Sequence, residues 1–163
     1  MRGYVLGIAV LWCGVALADA WLPVGSEAHG FVALLPGSAT EAEETHWTLA
    51  GPVHSRSWEF RGTETYRVEV HRLPRLARAF TSEAGLLAQA GRAVVADAAG
   101  EELGVGASQL AGRPAREITW RNGDGRLGKA RLLLVDDRLF VVQTVHTGGE
   151  AGEERFFASF EAW

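Results

Sequence analysis

Thiol chemistry is almost absent from this sequence: Cys13 is the only cysteine in 163 residues, and a lone cysteine closes no intramolecular disulfide. Lysine is as scarce. Lys129 stands alone against a background of arginine, a bias that fits a GC-rich bacterial coding sequence, and no Lys/Arg-rich run occurs anywhere. With a formal net charge of −4, the concentrated basic footprint that nucleic acid requires is missing, so no nucleic-acid partner is expected. Catalytic signatures are missing too. There is no His-Glu-x-x-His, no Gly-x-Ser-x-Gly elbow around any serine, and no Gly-Lys-Ser/Thr after Gly104 and Gly106. The acidic pairs Glu43-Glu44, Glu101-Glu102, Asp136-Asp137 and Glu153-Glu154 are adjacent in sequence. Neighbouring side chains point apart on a strand, so these pairs read as solubility and not as acid/base machinery.

What is present begins with an export signal. Arg2 supplies the positive start and Tyr4 to Leu17 the apolar segment. Ala16-Leu17-Ala18 or Ala18-Asp19-Ala20 supplies a small-residue cleavage site. The apolar segment falls short of the ~20 residues a comfortable membrane span needs, so no stable span is expected after cleavage. Trp12 and Val10 fit a lipid-attachment site at Cys13 poorly. Cleavage after residue 20 removes Cys13 and leaves a thiol-free protein, which offers neither a cysteine nucleophile nor a thiolate ligand. The expected destination is the periplasm or the exterior of a bacterium.

Residues 21–163 read as one domain, without repeat, low-complexity tract or linker. A domain of this size buries roughly 70% of the surface its unfolded chain exposes, enough to hold without crosslinks. Its centre is Ala130 to Thr144, where the apolar runs Leu132–Val135 and Leu139–Val142 flank Asp136-Asp137-Arg138. Short runs with acidic turn residues between them predict a hairpin, and apolar character on both faces predicts a sheet covered above and below.

Around this centre, Trp21-Leu22-Pro23 is expected as an extended lead-in, and Gly30 to Leu35 as a strand stopped by Pro36-Gly37. Ser38 to Glu44 reads as a loop. Thr45 to Phe60 reads as a hairpin turning at Gly51-Pro52, which pairs Leu49 with His54, Trp47 with Arg56 and Thr45 with Trp58. Alternation puts Trp47, Leu49, Trp58 and Phe60 on one face, with His54 turned towards the core beside them. It puts His46, Thr48, Ser55, Ser57 and Glu59 on the other. Thr65 to Leu73 continues the alternation. Ser82 to Ala98 is a helix, capped by Thr81 or Ser82 and striped by Ala84, Leu87, Val94 and Ala98. Strands follow at Glu101 to Leu110 and Ala115 to Arg121, then a tight turn at Asn122-Gly123-Asp124-Gly125. A terminal helix from Glu150 to Glu161 gathers Phe156, Phe157 and Phe160.

Four separated pieces carry a resemblance. They are Gly30-Phe31-x-Ala33-x-Leu35-Pro36-Gly37, Gly112-Arg113-Pro114-Ala115-Arg116-Glu117, Asp137-Arg138-Leu139-Phe140 and Arg155-Phe156-Phe157-Ala158-Ser159-Phe160. In this order, spanning about His29 to Trp163, the chain resembles the small exported bacterial domains of PsbP-like fold, most of which have no assigned activity. The resemblance implies an α+β domain, an antiparallel sheet with helices on both faces (an α/β/α sandwich). Fold relatives include an extrinsic subunit of photosystem II and a nuclear import factor that binds a small GTPase. They share a shape and not a job, so the fold alone assigns no function. The resembling segments are turn glycines, strand apolars and helix phenylalanines, and carry over no catalytic residue.

Two candidate constellations remain. His46, Glu59, Glu69 and His71 fall on the polar face of neighbouring strands and could ligate a hard or borderline metal, although a solvated face has the same pattern. Trp47, His54, Trp58 and Trp120 could line a crevice for a sugar ring or an apolar tail, although residues on the apolar parity of strands ordinarily fill a core. The expectation is therefore a non-catalytic binding or assembly module that meets a protein partner at the cell envelope and needs no cofactor. A small-ligand carrier is the alternative.

Overall fold

A computed structural model describes residues 20–148 and 151–163; the expected export signal, up to Asp19, lies outside them. Among these residues ten strands and three α-helices follow in order. They are β1 (Leu22–Ser26), β2 (Phe31–Leu35), β3 (Thr40–Thr48), β4 (Gly51–Arg61), β5 (Thr65–Arg72), α1 (Arg75–Phe80) and α2 (Glu83–Asp97). After these come β6 (Glu101–Leu110), β7 (Arg113–Arg121), β8 (Leu127–Val135), β9 (Arg138–His146), α3 (Ala151–Ser159) and β10 (Glu161–Ala162). Seven strands form one antiparallel sheet in the order β3-β4-β5-β9-β8-β7-β6, and β1-β2-β10 form a small second sheet. The protein is mostly antiparallel sheet with few helices, richer in strand than expected. Leu22 and Pro23 of the expected lead-in belong to β1, a strand paired to β2. Residues 40–44, expected as loop, pair with β4.

The β8–β9 hairpin turns at Asp136-Asp137, with Asp136 at φ +53°. Its alternate residues feed two cores. Leu133, Val135, Phe140 and Val142 join Phe31, Trp58, Tyr66, Phe156 and Phe160 beneath the small sheet and α3. Ala130, Leu132, Leu134, Leu139 and Val141 join Ile118, Trp120, Leu87 and Val95 beneath α2. Leu132, Leu133, Phe140, Val141 and Val142 are all buried. A strand pair apolar on both sides loses the least free energy where both sides are shielded from water, and that is the middle of a layered fold.

Helix α2 buries Leu87, Gly91 and Val95, a stripe rotated from the expected one. Gly91 brings the helix axis close enough for Ile118 to lie against it; a Cβ there would stand 3.4 Å from the Ile118 side chain. Ser82 caps the helix, its Oγ accepting from the Gly85 N–H at 3.2 Å. On the opposite layer, Ser159 Oγ accepts from the Leu34 N–H at 3.0 Å and donates to the Phe156 carbonyl at 2.7 Å, tying α3 to β2.

Candidate functional site

The two sides of the large sheet are unequally covered. Helix α2 lies over β7 and β8 and shares a core with Leu139 and Val141 of β9, which leaves the same side of β4 and β5, and of β9 from Gln143 onward, only partly covered. An open cleft of about 1050 Å³ results. Its floor follows from strand alternation. Tyr66, Val68 and Val70 are buried in the other core, so Thr65, Arg67, Glu69 and His71 of β5 face the cleft, beside Val141, Gln143 and Val145 of β9. Leu86, Ala90, Ala93 and Val94 of α2 form one wall, and Leu49 and Ala50 of the β3–β4 turn overhang the other. Trp120, Asn122 and Arg126 also line it, at the β7–β8 turn.

The floor is a linked polar row. Arg67 lies between two carboxylates, its Nη1 3.7 Å from Glu59 Oε2 and its Nε 2.8 Å from Glu69 Oε1. The second contact is close enough for an ion pair but not aligned for a hydrogen bond. Glu69 Oε2 is 3.2 Å from His71 Nε2, and His71 Nδ1 is 2.7 Å from Ser55 Oγ. Gln143 Nε2 donates to Glu69 Oε1 at 3.4 Å. Burial, the largest influence on Glu69, disfavours its charge. The His71 hydrogen bond and the Arg67 and His71 charges outweigh burial and hold the carboxyl below its ordinary value.

The four residues weighed for a metal divide here. Glu59, Glu69 and His71 share the floor, where the Arg67 guanidinium sits between the two carboxylates. His46 lies on the edge strand, exposed and 3.0 Å from Glu44. Among the described residues no three His, Asp or Glu side chains converge as a cation would need.

The four residues weighed for a ring-lined crevice are also dispersed. Trp58 is buried under the small sheet, edge-on to Phe31 at 4.9 Å and to His29 at 4.8 Å. Trp120 is buried on the other side, its Nε1 donating to Asn122 Oδ1 at 2.7 Å, and it alone of the four borders the cleft. Trp47 is 81% exposed. His54, expected towards the core, is exposed and bonded to Thr45 at 3.0 Å. The hairpin tip projects beyond both packed layers, so correct parity there does not bring burial. The polar floor was legible in the β5 alternation; the walls were not, because no motif announces where α2 lies across the sheet.

A second polar cluster lies on the other face. Glu153 of α3 is 4% exposed. Its carboxylate is paired with Lys129, accepts from Thr144 Oγ1 at 2.9 Å and meets His146 Nε2 at 3.1 Å. Nearby, Tyr66 donates to Glu64, and burial followed by that hydrogen bond raises the phenol well above its ordinary value. His29, bonded to Ser26 Oγ at 2.7 Å and to Arg56 at 2.8 Å, is held below its ordinary value by burial and then by the Arg56 charge.

No family model and no curated protein matches the sequence. The architecture matches the solution structure of cyanobacterial PsbP (CyanoP) from Synechocystis sp. PCC 6803, with a TM-score of 0.58 and 16% identity over 92% of this chain and 96% of that one. At that identity the likeness speaks to shape alone. The chain has a PsbP-like fold.

Proposed function

We propose that this protein is an exported, non-catalytic binding or assembly module of the bacterial cell envelope, and that the cleft beside α2 receives its protein partner. The observation that carries this reading is the asymmetry of the large sheet. One side carries the small sheet and α3, while on the other α2 covers β7, β8 and the Leu139–Val141 part of β9 and leaves β4 and β5 only partly covered beside an alanine-rich helix wall. The polar row on the floor is already internally paired, so it offers hydrogen-bonding edges and not reactive groups. Ser55, His71 and Glu69 do fall in the order of a nucleophile, a base and an orienting acid. However, Ser55 and His71 are directly opposed residues of interior strands. Their backbone N–H groups belong to the ladder, so no pair of free donors stands ready for an oxyanion. The Arg2 to Ala20 leader pattern supports export, and no helix among the described residues is long and apolar enough to cross a membrane.

The test is a pull-down from envelope extract with tagged protein and with Ala93→Arg, which fills the cleft from an exposed wall position. A partner retained by the parent and lost with Ala93→Arg, at unchanged circular dichroism, is the expected result. Equal capture by both proteins counts against the cleft.

A small-ligand carrier is the second reading, favoured by apolar walls over a polar floor in a cleft at the upper end of ligand-pocket size. Specific stabilisation by a small molecule in a thermal-shift screen, abolished by Ala93→Arg, would move the assignment there.

A further inference from the structure

The two edges of the large sheet are unlike. β3, at one edge, carries Glu41, Glu43 and Glu44, and every residue in it is exposed. Charge along an edge deters pairing with another chain. β6, at the other edge, has no charged residue and no proline from Leu103 to Leu110, and Leu103 and Val105 are 46% and 42% exposed. A bulge interrupts its pairing to β7 between Glu102 and Gly104, after which the register runs unbroken from Gly104 to Leu110. That run includes Gly104, Gly106, Ala107 and Ser108, so its middle carries only small side chains, and a Cβ at Gly106 would meet nothing within 4 Å. An edge strand presents one row of backbone donors and acceptors outward, and from Gly104 to Leu110 this row carries neither charge nor proline, the bulge and the Glu101-Glu102 pair guarding only its first residues.

We propose that this edge is a homotypic interface in which β6 pairs antiparallel with β6 of a second copy, about a two-fold axis at Ala107. A two-fold interface must be self-complementary, and charge selects a second copy as the occupant. The register centred on Ala107 sets Val105 opposite Gln109 and Gly106 opposite Ser108, so no like charges meet in the seam. It also carries Glu101 and Glu102 of each copy past Leu110 of the other, towards its Ala111-Gly112 turn and the exposed Arg113. This acid-to-base contact occurs twice. The same operation at β3 would bring the glutamates of two copies together, which is unfavourable.

Sedimentation equilibrium on the purified chain tests the proposal. The expected result is a monomer–dimer equilibrium that Ala107→Lys weakens at least tenfold, because it sets two ammonium groups opposite each other; Ala107 is exposed, so circular dichroism should be unchanged. Ala107→Cys in a Cys13→Ser background should form a disulfide-linked dimer under mild oxidation, since directly opposed strand residues lie within the roughly 4.4–6.8 Å Cα separation a disulfide spans. Trp47→Cys in the same background should not. A chain that stays monomeric at several hundred micromolar overturns the proposal. So does a dimer that persists with Ala107→Lys, or a β6 edge that captures only a foreign strand.

Discussion

Glu153 is an ionisable side chain almost closed off from water, held by Lys129, Thr144 and His146. Lys129 is the only lysine in the chain, and it is spent on a contact that fastens α3 to β8. Lys129 is 29% exposed and can be hydrated once its partner is gone, whereas the buried Thr144 hydroxyl would lose its acceptor, at a typical cost of ~1–3 kcal/mol. Glu153→Ala should therefore lower the unfolding free energy by ~1–3 kcal/mol in urea titrations, and Glu153→Gln, which keeps an acceptor for Thr144, by less. Titration supplies a second residue-scale prediction. Glu69 is more acidic in the folded chain than its ordinary value of 4.5, despite its burial. It therefore binds fewer protons folded than unfolded, and its stabilisation is present above that value and lost as pH falls through the folded one. The stability gap between the parent and Glu69→Gln should be open at pH 6 and close progressively below about pH 4.5. A gap that does not narrow would show that the Arg67 and His71 contacts do not govern its charge. Packing gives a third. The Trp120 indole lies directly on Gly128, in the space a side chain would occupy. Gly128→Ala must displace the ring or the strand, and calorimetry should show a loss at or above the ~1–3 kcal/mol usual for overpacking.

At the scale of elements, the cap of α2 has a measurable worth. Ser82→Ala removes the acceptor for the Gly85 N–H and should cost about 1 kcal/mol. The β3–β4 hairpin explains where reading the sequence succeeds and where it fails. Gly51-Pro52 is the obvious turn signal, yet the turn sits at Leu49-Ala50, with Trp47 opposite Pro52 and Thr45 opposite His54. Thr48 fixes it, its Oγ1 accepting from the Ala50 N–H at 3.2 Å and donating to the Gly51 carbonyl at 2.7 Å. Moving a turn by two residues changes every pairing but keeps every side chain on its face, because the pleat repeats every two residues. Hence the faces of Trp58, Glu59, Glu69 and His71 were legible while the register was not. Burial was also out of reach at Trp47 and His54. A strand's alternation says which way a side chain points, and says nothing of whether another layer extends far enough to cover it.

The whole molecule turns on one strand pair serving two cores, and this was the most legible feature. Runs of consecutive apolar residues occur only where water is excluded from both sides, and no local turn chemistry can imitate that. The small sheet was illegible because β10 is two residues long and pairs with a strand over a hundred positions earlier, a distance over which no sequence period operates. The shared strands make the two cores thermodynamically inseparable. Leu139 and Phe140 are neighbours in β9, and the first packs under α2 while the second packs under the small sheet and α3. Neither core can open without stripping one face from β8 and β9, so unfolding should be a single cooperative transition. Trp58 and Trp120 report on the two cores separately. With fluorotryptophan incorporated and each resonance assigned by substitution, urea titrations followed by fluorine NMR should give coincident midpoints for both. Phe140→Ala should cost ~3–5 kcal/mol and Leu139→Ala ~2–5 kcal/mol, and each should move both resonances together although each touches only one core. A variant that melts Trp58 while Trp120 keeps its native shift would mean that the cores are independent folding units, and that β8–β9 is a boundary between them and not their common centre.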